Sequence, residues 1–249
     1  MKKIAIIGGS GFTSFAQHQD VVEVAQHNLT TVYGEPSAPL IDMTIAGVPL
    51  TFLPRHGQPH KQAPHLINYR ANIAALKAHG VEQIIGVNAV GSIDPKLTTE
   101  DIVIPNQLID YTWGRASTFF DGQIEPLQHI DFSYPFDENL IKQLAAAASS
   151  IDQPITAQGT YAATQGPRLE TAGEIKRLAQ DGNTLVGMTL MPEAALAREL
   201  DIAYASLCLV VNPAAGVAQG VVSLDEIYAA LASGIHKVQN IIRAWCLAR

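Results

Sequence analysis

Cysteine is scarce. Cys208 and Cys246 are the two in a chain of 249 residues. Neither belongs to a Cys-x-x-Cys pair or another metal-spaced cluster, which argues against a thiolate metal centre and fits a reducing cytoplasm. Basic residues are also few: 16 Lys and Arg stand against 23 Asp and Glu, a formal charge of −7, and no basic block occurs. That balance excludes a nucleic-acid or anionic-membrane surface, although a few local cations can still hold one phosphate. Long apolar runs are missing as well. The N-terminal MKKIAIIGGSGF is too short in its apolar part for a signal peptide and is interrupted by glycine. The longest charge-free run, 202–224, contains Asn, Pro, Gln and two Gly, so it does not read as a membrane span. Low charge with 47% apolar residues excludes disorder. What remains is a compact, soluble, cytoplasmic enzyme or binding domain with ample length for a core.

Short apolar runs rich in β-branched residues predict strands at 4–8, 50–54, 83–90, 101–105, 183–188 and 204–211. Helical patterns lie between them, at 65–79, 137–149, 170–181, 192–200 and 223–247. Ser223 followed by Glu226 marks the start of the last one. AAAASS at 145–150 reads as a frayed helix end. The alternation predicts an α/β fold with a central mixed, mostly parallel sheet flanked by helices. No linker or repeat divides it, so residues 1–249 are expected to form one domain.

In such sheets ligands gather at the carboxyl ends of strands. Here those ends carry Gly8-Gly9-Ser10-Gly11, Arg55-His56-Gly57, NAVGS (88–92), Met188-Thr189 and Asn212-Pro213-Ala214. Five such ends predict one shared site. The glycine turn lets backbone N–H groups approach an anion, and Ser10 adds a hydroxyl. It also competes as a dinucleotide turn, but Gly9 to Ser14 lacks the third glycine of that fingerprint. Arg55 offers a planar fork suited to phosphate and His56 a further hydrogen bond; a surface-exposed Arg-His pair is the plainer alternative. His56, His60 and His65 resemble no familiar metal spacing, and no metal is expected. Glu170, in GPRLET, either favours a helix start or accepts a hydrogen bond from a ring N–H. Met188 reads as core or as part of a pocket wall, and Asn212 as a turn opener or a reader of a ligand.

Taken together, GGSG, RHG, NYRAN, NAVGS, GPRLET, MTLMPEA and VVNPA resemble, in this order, the trimeric purine nucleoside phosphorylase and methylthioadenosine phosphorylase family. The resemblance spans nearly the whole chain and is nearest to the bacterial branch acting on methylthioinosine. It implies phosphorolysis of a purine nucleoside, with inorganic phosphate as co-substrate and no cofactor. It further implies that Ser10, Arg55, His56, Asn88, Ala89 and Thr189 hold phosphate, and that Met188 packs on the sugar. Asn212 and Glu170 would read the base and carry the catalytic role, with Pro213 and Ala214 beside them. A homotrimer is implied, with His129 lent to a neighbour's pocket.

The details select a substrate. An amide matches the acceptor O6 and donor N7–H of a 6-oxopurine, and Glu170 suits its N1–H. Adenine-selective members carry aspartates where this chain has Asn212 and Ala214. Inosine-type members place a histidine near the 5'-hydroxyl, where this chain has Leu224, an apolar residue suited to a thiomethyl group. Leu224 facing the core is the plainer reading. Leu169 stands where the family usually has Phe. S-Methyl-5'-thioinosine satisfies both ends of the pocket, giving hypoxanthine and 5-methylthioribose 1-phosphate. A methylthioadenosine or general 6-oxopurine phosphorylase, a dinucleotide-binding oxidoreductase and a non-catalytic purine binder are the alternatives.

Overall fold

The computed structural model describes residues 2–9 and 20–249. Ser10 and Gly11 of the glycine turn therefore lie outside the described residues. One ten-stranded mixed sheet carries the fold. Its strands are β1 (Ile4–Gly8), β2 (Val21–His27), β3 (Leu40–Ile45), β4 (Val48–Pro54), β5 (Gln83–Ser92), β6 (Ile102–Val103), β7 (Gln107–Asp110), β8 (Thr160–Ala163), β9 (Leu185–Gly187) and β10 (Ala203–Pro213). The order is β2-β3-β4-β1-β5-β9-β8-β7, with β10 against β5 and β6 against β10. Pairs β1–β4, β1–β5, β5–β10, β7–β8 and β8–β9 are parallel. Pairs β2–β3, β3–β4, β5–β9 and β6–β10 are antiparallel.

The period-two alternation of the central strands builds two cores, one on each face. Ile4 and Ile6 of β1, with Leu207 and Leu209 of β10, pack with α2 (Glu138–Ser150) and α5 (Leu224–Leu247). Ala5 and Ile7, with Cys208 and Val210, pack with α1 (Tyr69–Ala78) and α4 (Leu190–Glu199). Both faces of β1 and β10 are covered, which is why their sequences read as unbroken apolar runs. Cys208 and Cys246 are both buried. No helix among the described residues is long and apolar enough to cross a membrane.

Helix starts follow their local chemistry. Ser223 caps α5 by accepting the Glu226 N–H, as its spacing predicts. Met191 has extended backbone inside α4, so the regular helix begins near the predicted position 192. The alanine patch is a correction: α2 continues through Ser150, and Ala147 and Ala148 are buried in the core, so these residues are not frayed.

β5 organises the rest. Its first half, Gln83–Val87, pairs with β1 on one side and β10 on the other. β1 ends at Gly8, and beyond it β9 takes the same side of β5 at Gly91 and Ser92. This change of partner opens a crevice at the strand ends, the place where α/β sheets hold ligands.

Candidate active site

A cavity of about 220 Å³ occupies that crevice. Arg55, His56, Asn88, Ala89, Met188 and Thr189 line it at the sheet end, and Glu170, Asn212, Ala214 and Leu224 complete its walls. Gly9 borders it from the end of β1. All five predicted strand ends therefore meet. Pro213 and His129 are not brought to the cavity wall. Pro213 instead holds its neighbour, its carbonyl accepting from Asn212 Nδ2 at 2.7 Å. His129 lies exposed in the segment between β7 and α2.

The Arg-His pair is buried, not exposed on the surface. Arg55 also differs from the expected free fork. Its Nε donates to Glu193 Oε2 at 2.6 Å and its Nη2 to Glu193 Oε1 at 2.8 Å. Nη1 donates to the Val87 carbonyl at 2.9 Å and Nη2 also reaches the Ile7 carbonyl at 3.4 Å. Of five N–H groups, one on Nη1 is left to face a ligand. Burial alone would depress the Arg55 pKa, but the Glu193 carboxylate holds it above the ordinary arginine value. The cation is thus permanent, and its position is fixed by a carboxylate that Tyr204 also supports, with its OH donating to Glu193 Oε1 at 2.6 Å.

His56 Nδ1 lies 2.8 Å from the Gln62 carbonyl. A carbonyl only accepts, so Nδ1 carries the proton. Burial pushes the imidazole down to about 4, against the pull of that hydrogen bond, and the neighbouring Arg55 and His60 add to the depression. The ring is therefore neutral at pH 7, with Nε2 an acceptor. Thr189 Oγ1 donates to Asn88 Oδ1 at 2.7 Å, and Asn88 Nδ2 donates to Ser206 Oγ at 2.7 Å. This relay sets the Asn88 amide and leaves its second proton for a ligand.

Glu170 precedes α3 (Ala172–Gln180), whose cap is Thr171 with Glu174 in a reciprocal capping box. Helix capping therefore does not explain Glu170. Its Oε1 accepts from Thr164 Oγ1 at 2.6 Å, which orients the carboxylate. Asn212 sits at a register shift between β10 and β5. Its bond to Pro213 is the turn role; the other amide proton and Oδ1 remain for a ligand. Leu224 is 57% exposed and lines the cavity beside Ile227 and Tyr228, so it does not serve the core. Gly166 has φ +61°, and a Cβ there would meet Met188 Sδ at 2.4 Å. Glycine is required for Met188 to lie against that loop.

Sequence reading missed three supporting residues. Glu193 stands in the apolar LMPEAALA and Ser206 in YASLCLVV; a polar residue inside an apolar run is the signal that could have found both. Arg115 gave no signal. It donates to the carbonyls of Thr164, Gln165, Met188 and Met191, tying together the loops that carry Glu170 and Met188.

Residues 3–245 match the phosphorylase superfamily. The chain belongs to this family. Among phosphorylase relatives, a protein of Pseudomonas syringae pv. tomato described as a probable S-methyl-5'-thioinosine phosphorylase is 49% identical over 240 residues, 96% of each chain. A 6-oxopurine nucleoside phosphorylase of Pyrococcus furiosus is 43% identical over 225 residues, covering 87% of this chain and 82% of that one. Methylthioadenosine phosphorylase from Schistosoma mansoni, solved in complex with adenine, superposes with a TM-score of 0.93 at 30% identity, covering all of this chain and 92% of that one. The fold of this phosphorylase is thus shared with enzymes described for both oxo- and aminopurine ligands. The choice between them rests on the cavity.

Proposed function

We propose that the chain is a cytoplasmic homotrimer that cleaves S-methyl-5'-thioinosine with phosphate, giving hypoxanthine and 5-methylthioribose 1-phosphate. One observation carries this reading. The same cavity is lined by the Asn212 amide and the Glu170 carboxylate and by the apolar Leu224 and Ile227. The first pair complements a 6-oxopurine edge, and the second rejects a hydroxyl and accepts a thiomethyl group.

Phosphate sits between Arg55, His56, Asn88, Ala89 and Thr189 in this reading, with Ser10 completing the set. Neutral His56 Nε2 takes the proton-bearing oxygen of hydrogen phosphate, and Arg55 Nη1 faces a charged one. A different phosphate oxygen attacks the anomeric carbon as its bond to purine N9 breaks. The sugar passes through a cation-like state, as in glycoside hydrolysis. Fixing the nucleophile beneath that carbon lowers the barrier by up to ~7–11 kcal/mol in the best-oriented cases. Asn212 Nδ2 donates to O6 and stabilises the negative charge that develops on the leaving base. As N9 departs, N7 takes a proton from water; Asn212 Oδ1 then accepts from N7–H, and Glu170 Oε2 accepts from N1–H and orients the ring. Met188 packs on the ribose, with Pro213 and Ala214 shaping the base end. His129 reaches a neighbouring subunit's cavity. Trp113, Leu127 and Tyr134, each more than 70% exposed on the segment that carries His129, are apolar surface suited to such an interface.

Leu224→His tests the sugar wall. The variant is expected to gain turnover of inosine and lose turnover of methylthioinosine, shifting the ratio of their kcat/KM at least ~10-fold, about 1.4 kcal/mol. Steady-state rates on the two nucleosides at saturating phosphate measure it. An unchanged ratio means that Leu224 does not meet the 5' substituent.

A further inference from the structure

Outside the cavity, three side chains far apart in sequence bring together the donor set of a transition-metal site. His27 ends β2, Asp42 lies in β3, and His79 is the C-cap of α1. His27 Nε2 lies 3.0 Å from Asp42 Oδ2. His79 Nε2 lies 2.9 Å from Asp42 Oδ1 and 3.1 Å from Oδ2. One donor atom from each residue falls within 4.8 Å of the other two. None of the three lines the catalytic cavity.

We propose that His27, Asp42 and His79 bind one divalent transition-metal ion of the zinc type. Four observations support this. In a tetrahedral zinc shell with bonds of ~2.0–2.1 Å, neighbouring donors stand about 3.3 Å apart. The two histidine–carboxylate separations lie within about 0.4 Å of that, so small side-chain movements admit the ion. Two imidazoles with a single carboxylate suit zinc, nickel or copper, whereas magnesium and calcium need more oxygens. Thr51 Oγ1 donates to Asp42 Oδ1 at 2.7 Å, the kind of outer hydrogen bond that fixes a ligating carboxylate. Finally, His79 stands at the C-terminus of α1, where the helix dipole favours a cation.

Both imidazoles point Nε2 at Asp42. On binding, the Nε2 lone pair goes to the ion and the ring proton resides on Nδ1. The His27 side chain is 36% exposed, which gives water access to the fourth position. The ion ties the edge strand β2 to β3 and α1, so its role is structural.

Isothermal titration of the full chain with zinc chloride, after chelator treatment and in a non-coordinating buffer, tests the proposal. One zinc per chain is expected, with a raised Tm and no response to magnesium. His27→Ala and His79→Ala should each weaken binding at least ~10-fold, while His236→Ala, at an exposed position outside the cluster, leaves it unchanged. Cobalt(II) absorption on the wild-type chain reads ligation without any variant: visible d–d bands of tetrahedral intensity support the site, and their absence opposes it. No zinc binding, or binding indifferent to both histidine variants, overturns the proposal and leaves the three residues as a hydrogen-bonded tie.

Discussion

Asn212→Asp is expected to lower kcat/KM for methylthioinosine about 10²-fold, near 2.7 kcal/mol. The carboxylate has no donor for O6 and sets one acceptor against another, and a buried unsatisfied group costs ~1–3 kcal/mol before charge is considered. Turnover of methylthioadenosine should rise, because its exocyclic amine needs an acceptor. The rise should be smaller than the loss. Asn212 Nδ2 donates to the Pro213 carbonyl at 2.7 Å, and an aspartate oxygen there meets a second oxygen instead. The new side chain must rotate away before it can serve the amine. Parallel kinetics on both nucleosides give the two numbers. Equal losses on both, or no change on either, assign Asn212 to the turn alone.

Glu193→Gln should be the most destabilising single change near the site. Arg55 and Glu193 are both fully buried, and the carboxylate accepts from Arg55 Nε, Arg55 Nη2 and Tyr204 OH. Glutamine removes the counter-charge and places an NH₂ where two donors converge. Breaking a buried pair from one side costs about 3–5 kcal/mol, which for a chain of this length lowers Tm by of order 10 °C. The phosphate KM should rise by ~10-fold or more, because the Nη1 proton aimed at the cavity is held only through this pair. Thermal unfolding and phosphate titration of the variant check both effects. A Tm within a degree of wild type contradicts the assignment of the pair.

Much of this was legible in the sequence, and what was not has physical causes. β1, β4, β5 and β10 were readable because both their faces are buried, which writes continuous apolar runs. β2, VVEVAQH, is an edge strand with exposed valines, and β3, LIDMTI, alternates with polar residues. Neither shows an unbroken run, and the short β7 and β8 gave no signal either. DIVIP predicts a strand of five residues, but only Ile102 and Val103 form one, since the surrounding chain turns to loop. At the site, strand-end position located most of the cavity wall. Position could not show that Arg55 is bound to Glu193, 138 residues away, nor that Asn212 grips its own turn. Such pairings arise from the crossing of elements, and no local pattern encodes them. The His27–Asp42–His79 cluster is legible only in three dimensions for the same reason.

The central claim is that an amide and a carboxylate in one cavity read a 6-oxopurine while an apolar wall reads a thiomethyl group. The most direct measurement is phosphate-dependent base release from methylthioinosine, methylthioadenosine and inosine in parallel. The account predicts kcat/KM highest for methylthioinosine, by ~10²-fold over methylthioadenosine and ~10-fold over inosine, with no release when phosphate is omitted. Preference for methylthioadenosine, or base release independent of phosphate, would contradict it.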